Sequence, residues 1–320
     1  MVRRQRREAA ERGVDVQPEV VAFPQGGDGA EIVVVGRSAL ALLSAHLRPR
    51  AVAVEIPTYT DPLAGFRAAG TRLAGCRVTA DGWDLDQLDD AFRAAAGGMA
   101  YLVPDFQNPT GALMPADARL TVARLAERHR VTVVADETMR DLDLRDGPAP
   151  VRRIPGSVLI GSAAKTIWAG LRVGWIRGPA ALIGEPAHHP LCEPLSAAPT
   201  QQLVAAELLR DLESLLRDRR AVLRRQRDHL CGLLAGDDRW RFTVPPGGLA
   251  LWVRLTALRA DLVTARARAH GLELSPGPSF AADATHPHHL RLPYTPPIST
   301  LDRVAAVLDL ACGGQGARSR

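Results

Sequence analysis

Lysine is almost missing from this chain. Its 320 residues include 40 Lys+Arg, and every one of them except Lys165 is arginine. Either residue serves as a solvated surface cation, but arginine cannot trap a carbonyl. Guanidinium stays protonated at any usable pH, whereas a buried ε-amine can lose its proton and form a Schiff base. Cysteine is scarce as well. Cys76, Cys192, Cys231 and Cys312 are scattered with no CxxC pair, which suggests reduced, mostly packed thiols in a cytoplasmic protein. No apolar run approaches the roughly 18 residues needed to span a bilayer. The charged stretch Met1–Gly13 has no apolar h-region behind it, so neither a membrane span nor a secretory signal is expected. The histidine clusters His188-His189 and His286-Pro287-His288-His289 lack acidic or thiol companions at ligand spacing, and no metal site is expected.

What is present is ordinary for a globular protein: 46% hydrophobic and 23% charged residues, with length enough for two domains or one large one. A formal charge of +5 and a pI near 9.5 invite a nucleic-acid reading. The basic residues, however, sit in helix-like runs mixed with acids, such as Arg217-Asp218-Arg219-Arg220 and Arg224-Arg225-Gln226-Arg227-Asp228. Those runs read as solvated helix faces. Without zinc-finger spacing, an RNP-like motif or a convincing helix-turn-helix, direct nucleic-acid binding by this chain is not expected.

From residue 31 short apolar runs alternate with amphipathic segments. The pattern predicts strands at Ile32–Val35, Ala51–Val54, Ala100–Val103, Val131–Ala135, Val158–Ile160 and Val173–Ile176. Helices are predicted at Ser38–Leu47, Asp61–Ala69, Leu85–Ala96 and Pro115–Arg130. Strands apolar on both faces, interleaved with helices, predict an α/β fold with a mainly parallel central sheet and helices on both faces. After about residue 198 the pattern changes. A long helical stretch, Thr200–Leu234, broken once, precedes a strand at Leu249–Val253, a helix near Arg259–His270, a strand at His289–Leu292 and a helix at Ser299–Leu310. This reads as a smaller α+β domain. The expected organisation is an abbreviated N-terminal segment 1–30, a large domain 31–205, a small C-terminal domain 206–312 and a flexible tail 313–320. Within the first segment Met1–Gly13 reads as a basic helix, Glu19–Phe23 as a strand and Gln25–Gly29 as a loop.

Four motifs fall mostly at predicted strand ends, where open α/β sheets form their ligand crevice. Gly36-Arg37-Ser38 joins a strand to a helix, so its N–H groups and the Ser38 cap favour an anionic phosphate, or serve as a plain N-cap. Asn108, in Asp105-Phe106-Gln107-Asn108-Pro109-Thr110-Gly111, either caps a turn or points into the crevice. Asp136, closing Val133-Val134-Ala135-Asp136, either caps the next helix or keeps a pyridine nitrogen protonated. Ser162 precedes Lys165 by three residues and Arg172 follows it by seven, so an amine sits beside donors suited to phosphate. Amine, phosphate donors, Asn and Asp together are what pyridoxal 5′-phosphate needs.

Six stretches carry a family resemblance: Val54-Glu55-Ile56-Pro57-Thr58-Tyr59, Asn108-Pro109-Thr110-Gly111, Ala135-Asp136-Glu137, Gly161–Lys165 with Leu171-Arg172-Val173-Gly174, Pro246–Trp252, and Leu290-Arg291-Leu292-Pro293-Tyr294. In order and spacing, residues 31–312 resemble the class I/II aminotransferases, pyridoxal-phosphate enzymes of fold type I. Within that family they look most like the aminotransferase-like domain of MocR/GntR-type regulators. The resemblance implies that Lys165 forms a Schiff base with the cofactor, is displaced by an incoming amino acid and then serves as general base. It implies that Asp136 pairs with the pyridine N–H, that Asn108 hydrogen-bonds the phenolic oxygen and that Tyr59 stacks on the ring. Ser162, Arg172 and the Gly36, Arg37, Ser38 turn would take the phosphate, and Arg291 the substrate α-carboxylate. An amino acid and a 2-oxo acid are the implied substrates, and a homodimer the implied assembly.

Three places depart from the family pattern. Thr138 stands where a tyrosine commonly supports the phenolic oxygen, the Gly36 loop is about one residue short, and the segment before the first strand is abbreviated. Two other functions therefore stand beside amino transfer: an amine-sensing domain of MocR type without its DNA-binding module, and a scaffold that no longer binds cofactor.

Overall fold

The computed structural model describes residues 30–35, 39–147, 151–180, 182 and 197–313. The readings made for Met1–Gly13, Glu19–Phe23, Gln25–Gly29, Gly36–Ser38, His188-His189 and Cys192 lie outside the described residues.

Eight strands form the larger sheet. In chain order they are β1 (Ala30–Val35), β2 (Ala51–Ile56), β3 (Arg72–Thr79), β4 (Gly82–Trp83), β5 (Met99–Leu102), β6 (Thr132–Asp136), β7 (Val158–Ser162) and β8 (Gly174–Pro179). Their spatial order is β1-β8-β7-β6-β5-β2-β3-β4. Strands β3, β2, β5, β6 and β7 run parallel. Side chains alternate across this sheet with a period of two, and both faces are covered. From β2, Ala51 and Ala53 pack on one face with Leu88 and Phe92 of helix α3 (Leu85–Ala94) and Val122 of helix α4 (Ala116–His129). Val52 and Val54 pack on the other with Leu42 and Leu43 of helix α1 (Ala39–Leu47) and Leu63 and Phe66 of helix α2 (Thr60–Ala68). Each fully buried Leu or Phe contributes about 1.5–3 kcal/mol, so this two-sided burial holds the strand ends in place.

The edge departs from a purely parallel sheet. β8 runs antiparallel to both β7 and β1. The connection Ala163–Val173 holds only helix α5 (Ala163–Thr166) and a 3-10 turn at Ala169–Leu171. That is too short for a crossover helix, so the chain folds straight back.

The smaller sheet contains β9 (Trp240–Arg241), β10 (Ala250–Leu255), β11 (Ser275–Pro276) and β12 (His289–Pro293), all antiparallel in the order β11-β12-β10-β9. The predicted helical stretch is indeed broken once, at Asp211, into α6 (Pro199–Arg210) and α7 (Leu212–Leu234). Leu223 and Leu230 of α7 share a core with Val263 of α8 (Ala260–Ala269), Leu301 and Leu308 of α9 (Ile298–Ala311), and Leu251, Val253, Leu290 and Leu292 of the sheet.

The arginine runs are only partly the solvated faces expected of them. Arg217 and Arg225 are exposed. Arg220, Arg224 and Arg227 share one face of α7 by their spacing, and donate to the carbonyl oxygens of Asp141 (2.8 Å), Leu144 (3.0 Å) and Pro245 (3.0 Å). Arg227 fastens the helix to the segment between β9 and β10, and Arg220 and Arg224 fasten it to the loop that follows β6. The Gly247-Gly248 turn meets the same loop. Gly248 N–H donates to Leu142 O at 3.0 Å, and a Cβ on Gly247 would lie 2.5 Å from that oxygen, so only glycine fits there.

Candidate active site

The parallel strands deliver polar residues to a shared edge because each apolar run ends on one. β2 leads to Tyr59, β5 to Asn108, β6 ends in Asp136, and β7 ends in Ser162 ahead of Lys165. These are the carboxyl ends of the strands, the expected ligand crevice of an open α/β sheet. The smaller sheet adds Arg291, on an inner strand between β11 and β10. Tyr59, Asn108, Asp136, Lys165 and Arg291 line one cavity of about 490 Å³. An adjoining cavity of about 830 Å³ shares Tyr59, Asp136 and Lys165 and adds Ser162.

Asp136 is held at both oxygens. Tyr101 donates its hydroxyl to Oδ2 at 2.6 Å, and Thr138 N–H donates to Oδ1 at 3.0 Å. Burial, reinforced by the Asp136 charge, pushes the Tyr101 phenol well above its ordinary pKa, so it remains a donor. Arg291 gives its Nε–H to Asn108 Oδ1 at 2.8 Å, joining the two sheets across the cavity. Burial pulls its guanidinium below the ordinary value, with Tyr59 and Tyr294 opposing that shift. Tyr59 donates to Asp61 at 2.6 Å. Burial first, and the Asp61 contact second, lift its pKa above that of a free phenol. Ser162 caps α5, its Oγ accepting from Ala164 N–H at 3.1 Å.

Not every expected residue joins this group. Arg172 has a left-handed backbone (φ 53°), an exposed side chain and a place in the lining of neither cavity. Gly36, Arg37 and Ser38 lie outside the described residues. The sequence reading missed Tyr101, Met139 and Phe280, all of which line the smaller cavity. Tyr101 had one available signal: a tyrosine inside an apolar strand needs a partner for its hydroxyl. His286 and His289 pack with Trp252 as an aromatic group, the His289 ring stacked on the indole at 5.0 Å, and no group of three metal-binding side chains occurs among the described residues.

The family model for aminotransferase class I and II matches residues 8–308. The chain belongs to that family. The aminotransferase is 30% identical over 313 residues to a 2-aminoadipate transaminase of Thermus thermophilus, covering 91% of this chain and 73% of the relative. It is also 30% identical over 227 residues to the uncharacterized HTH-type transcriptional regulator YisV of Bacillus subtilis, spanning 67% of this chain but 46% of the regulator. Among solved structures it resembles LysN, the α-aminoadipate aminotransferase of T. thermophilus complexed with N-(5′-phosphopyridoxyl)-L-leucine. The TM-score is 0.78 at 26% identity, covering 95% of this chain and 87% of that one. The multiple substrate aminotransferase of Thermococcus profundus shares the fold, with a TM-score of 0.79 at 22% identity. Family membership makes the protein a pyridoxal-phosphate-dependent aminotransferase. Its residues fit that cofactor: one amine, a carboxylate held by two donors, an aromatic ring and an amide line a single cavity.

Proposed function

We propose that this aminotransferase moves an amino group from an α-amino acid to a 2-oxo acid, with Lys165 as the residue that holds the cofactor and carries the proton. The observation behind this is the meeting of Lys165, Asp136, Asn108 and Arg291 around one cavity. Pyridoxal phosphate, when bound, supplies a carbonyl carbon that condenses with amines and a protonated ring that draws electrons from the substrate Cα. Asp136, fixed by Tyr101 and Thr138, pairs with the ring nitrogen and keeps a proton there. Tyr59 covers a ring face, and Asn108 reaches the phenolic oxygen. Ser162 takes the phosphate, and the family likeness, rather than a cavity contact, adds Arg172 and the Gly36–Ser38 turn as further donors. Lys165 Nζ, released by the incoming amine, would take the proton from the donor Cα and deliver it to the carbon that had been the cofactor's carbonyl, and would run the same transfer in reverse for the 2-oxo acid. Arg291 commits its Nε–H to Asn108, which leaves its two Nη groups for a carboxylate.

The same reading includes a homodimer working in the cytoplasm. Trp168 (64% exposed), three residues after Lys165, and Leu203 and Val204 offer exposed apolar surface, and Cys76, Cys231 and Cys312 are free thiols. A second function, amine sensing without turnover, draws support from the likeness to regulators such as YisV. Incubation of the loaded protein with amino-acid donors and 2-oxo acids separates the two. Many turnovers are expected with wild type, and none above background, a loss of at least about a hundredfold, with Lys165→Ala. A single conversion per protein would point to sensing, and failure to retain cofactor would sink both.

A further inference from the structure

Glu55 lies next to the end of β2 with no accessible surface, and the chemistry above does not use it. Its Oε1 accepts from Val103 N–H at 3.0 Å and Trp83 Nε1–H at 2.8 Å. Its Oε2 accepts from Gln107 Nε2–H at 3.0 Å and the Thr58 hydroxyl at 3.3 Å. All four partners are neutral, so no cation offsets the desolvation of this carboxylate, and that is costly. Burial accordingly pushes its pKa up to about 7. A glutamate in this position is a poor way to stabilise a fold.

Its partners suggest what it serves. Thr58 immediately precedes Tyr59, and Gln107 immediately precedes Asn108. The Gln107 side chain has only one workable orientation. Its amide nitrogen also donates to Pro57 O at 2.7 Å, while its Oε1 accepts from Thr110 N–H at 3.0 Å and the Thr110 hydroxyl at 2.8 Å. Thr58 N–H donates to Phe280 O at 2.7 Å, so the same knot reaches the Gly277–Phe280 turn on the far wall of the cavity. Three of the four groups on Glu55 are N–H donors that cannot act as acceptors. A carboxylate satisfies all of them. A carboxamide at position 55 would set one donor against another, leaving a buried N–H without a partner.

We infer that Glu55 is a positioning residue of this site: its carboxylate ties Thr58 and Gln107 together, and so holds Asn108 where it engages Arg291 and Tyr59 where it faces the cofactor. This rests on the proposed role of Arg291 in holding the substrate carboxylate. Because Asn108 bears on Arg291, Glu55 matters more for ligands that carry a carboxylate than for simple amines.

The test uses the full-length, cofactor-loaded protein at pH 8 and two probes of one carbon skeleton, 2-methylalanine and tert-butylamine. The first has an α-carboxylate but no Cα proton, and the second lacks the carboxylate. Neither transaminates in the ordinary way, so the visible band of the cofactor reports binding by titration. Wild type should prefer 2-methylalanine. Glu55→Gln is expected to weaken 2-methylalanine about tenfold, the size of one lost buried hydrogen bond, and to leave tert-butylamine within about twofold. Thr58→Val, which removes only the weakest of the four contacts, should give a smaller loss with the same selectivity, and carries the test if Glu55→Gln does not fold. Equal weakening of both probes, or no change in either, would overturn the inference and leave Glu55 as packing. A wild type that fails to distinguish the probes would instead remove the role of Arg291, and the inference with it.

Discussion

Glu55 and Asp136 are both carboxylates at the ends of apolar strands, yet they were not equally legible in the sequence. Asp136 stands out because it closes Val133-Val134-Ala135 and is followed by polar residues. Glu55 is followed by Ile56-Pro57 and reads as part of a strand motif. Three of its four partners, Trp83, Val103 and Gln107, come from distant positions that no spacing rule connects, and Tyr101 is hidden in the same way, 35 residues from the aspartate it serves. The difference has a measurable consequence for stability. Burial lifts Glu55 from 4.5 to about 7, so the folded chain binds that proton more tightly than the unfolded chain does. The stabilising contribution is complete below pH 4.5, falls as the pH rises to about 7 and is gone above it, an effect on the order of 3 kcal/mol. Cys76 on β3 and Tyr101 on β5 share its surroundings, but burial holds both far above this window. Calorimetry between pH 4 and 8 should therefore show the Tm of wild type falling relative to Glu55→Gln across that interval. Parallel curves for the two proteins would mean that the carboxyl group does not titrate there. At this scale the inner strands also give up stability to function: Glu55 ionised is more useful to the cavity than to the fold.

At the scale of elements, helix α4 shows how a loop is held from behind. Arg119, 1% exposed, donates Nε–H to Met114 O at 2.9 Å and Nη2–H to Pro104 O at 3.0 Å and Asp105 at 2.8 Å. Arg140, after β6, reaches Asp105 as well at 3.3 Å. The loop bearing Asn108 is thus gripped at its start by two arginines and at Gln107 by Glu55. Arg119→Met should cost about 3–5 kcal/mol, because it leaves the buried Asp105 with one partner fewer, and chemical denaturation would read it directly. A loss below about 1 kcal/mol would show that Arg140 and water compensate. The inner strands and most helices were legible because burial on both faces leaves uninterrupted apolar runs. β3 was not, since only Cys76 and Val78 are buried along it and the remainder is at least partly exposed. The two-residue strands β4, β9 and β11 leave no periodic signal at all. The reversal at β8 depended on the length of a connection, which the apolar pattern does not report.

On the scale of the whole molecule, the cavity is where the two sheets meet, through Asn108 and Arg291 and through Thr58 and Phe280. A cofactor seated there contacts residues that both sheets position, so saturating pyridoxal phosphate should raise the melting temperature of the protein in a single transition. At a hundred times the dissociation constant the gain is about 2.7 kcal/mol, and Lys165→Ala should lose most of it. Two transitions, with only one responding, would show that the sheets melt independently. The solitary lysine also shapes how this molecule behaves in the hands of a chemist. Acylating reagents and aldehyde-coated supports find only one side-chain amine, so labelling or immobilising the protein through lysine amounts to occupying the cavity that Lys165 lines. Trypsin, in turn, has a single lysine at which to cut. On the proposed role of Lys165, borohydride reduction of the loaded protein should cap that lysine, leave cleavage only at arginines, and put the label in one peptide, Ile154–Arg172.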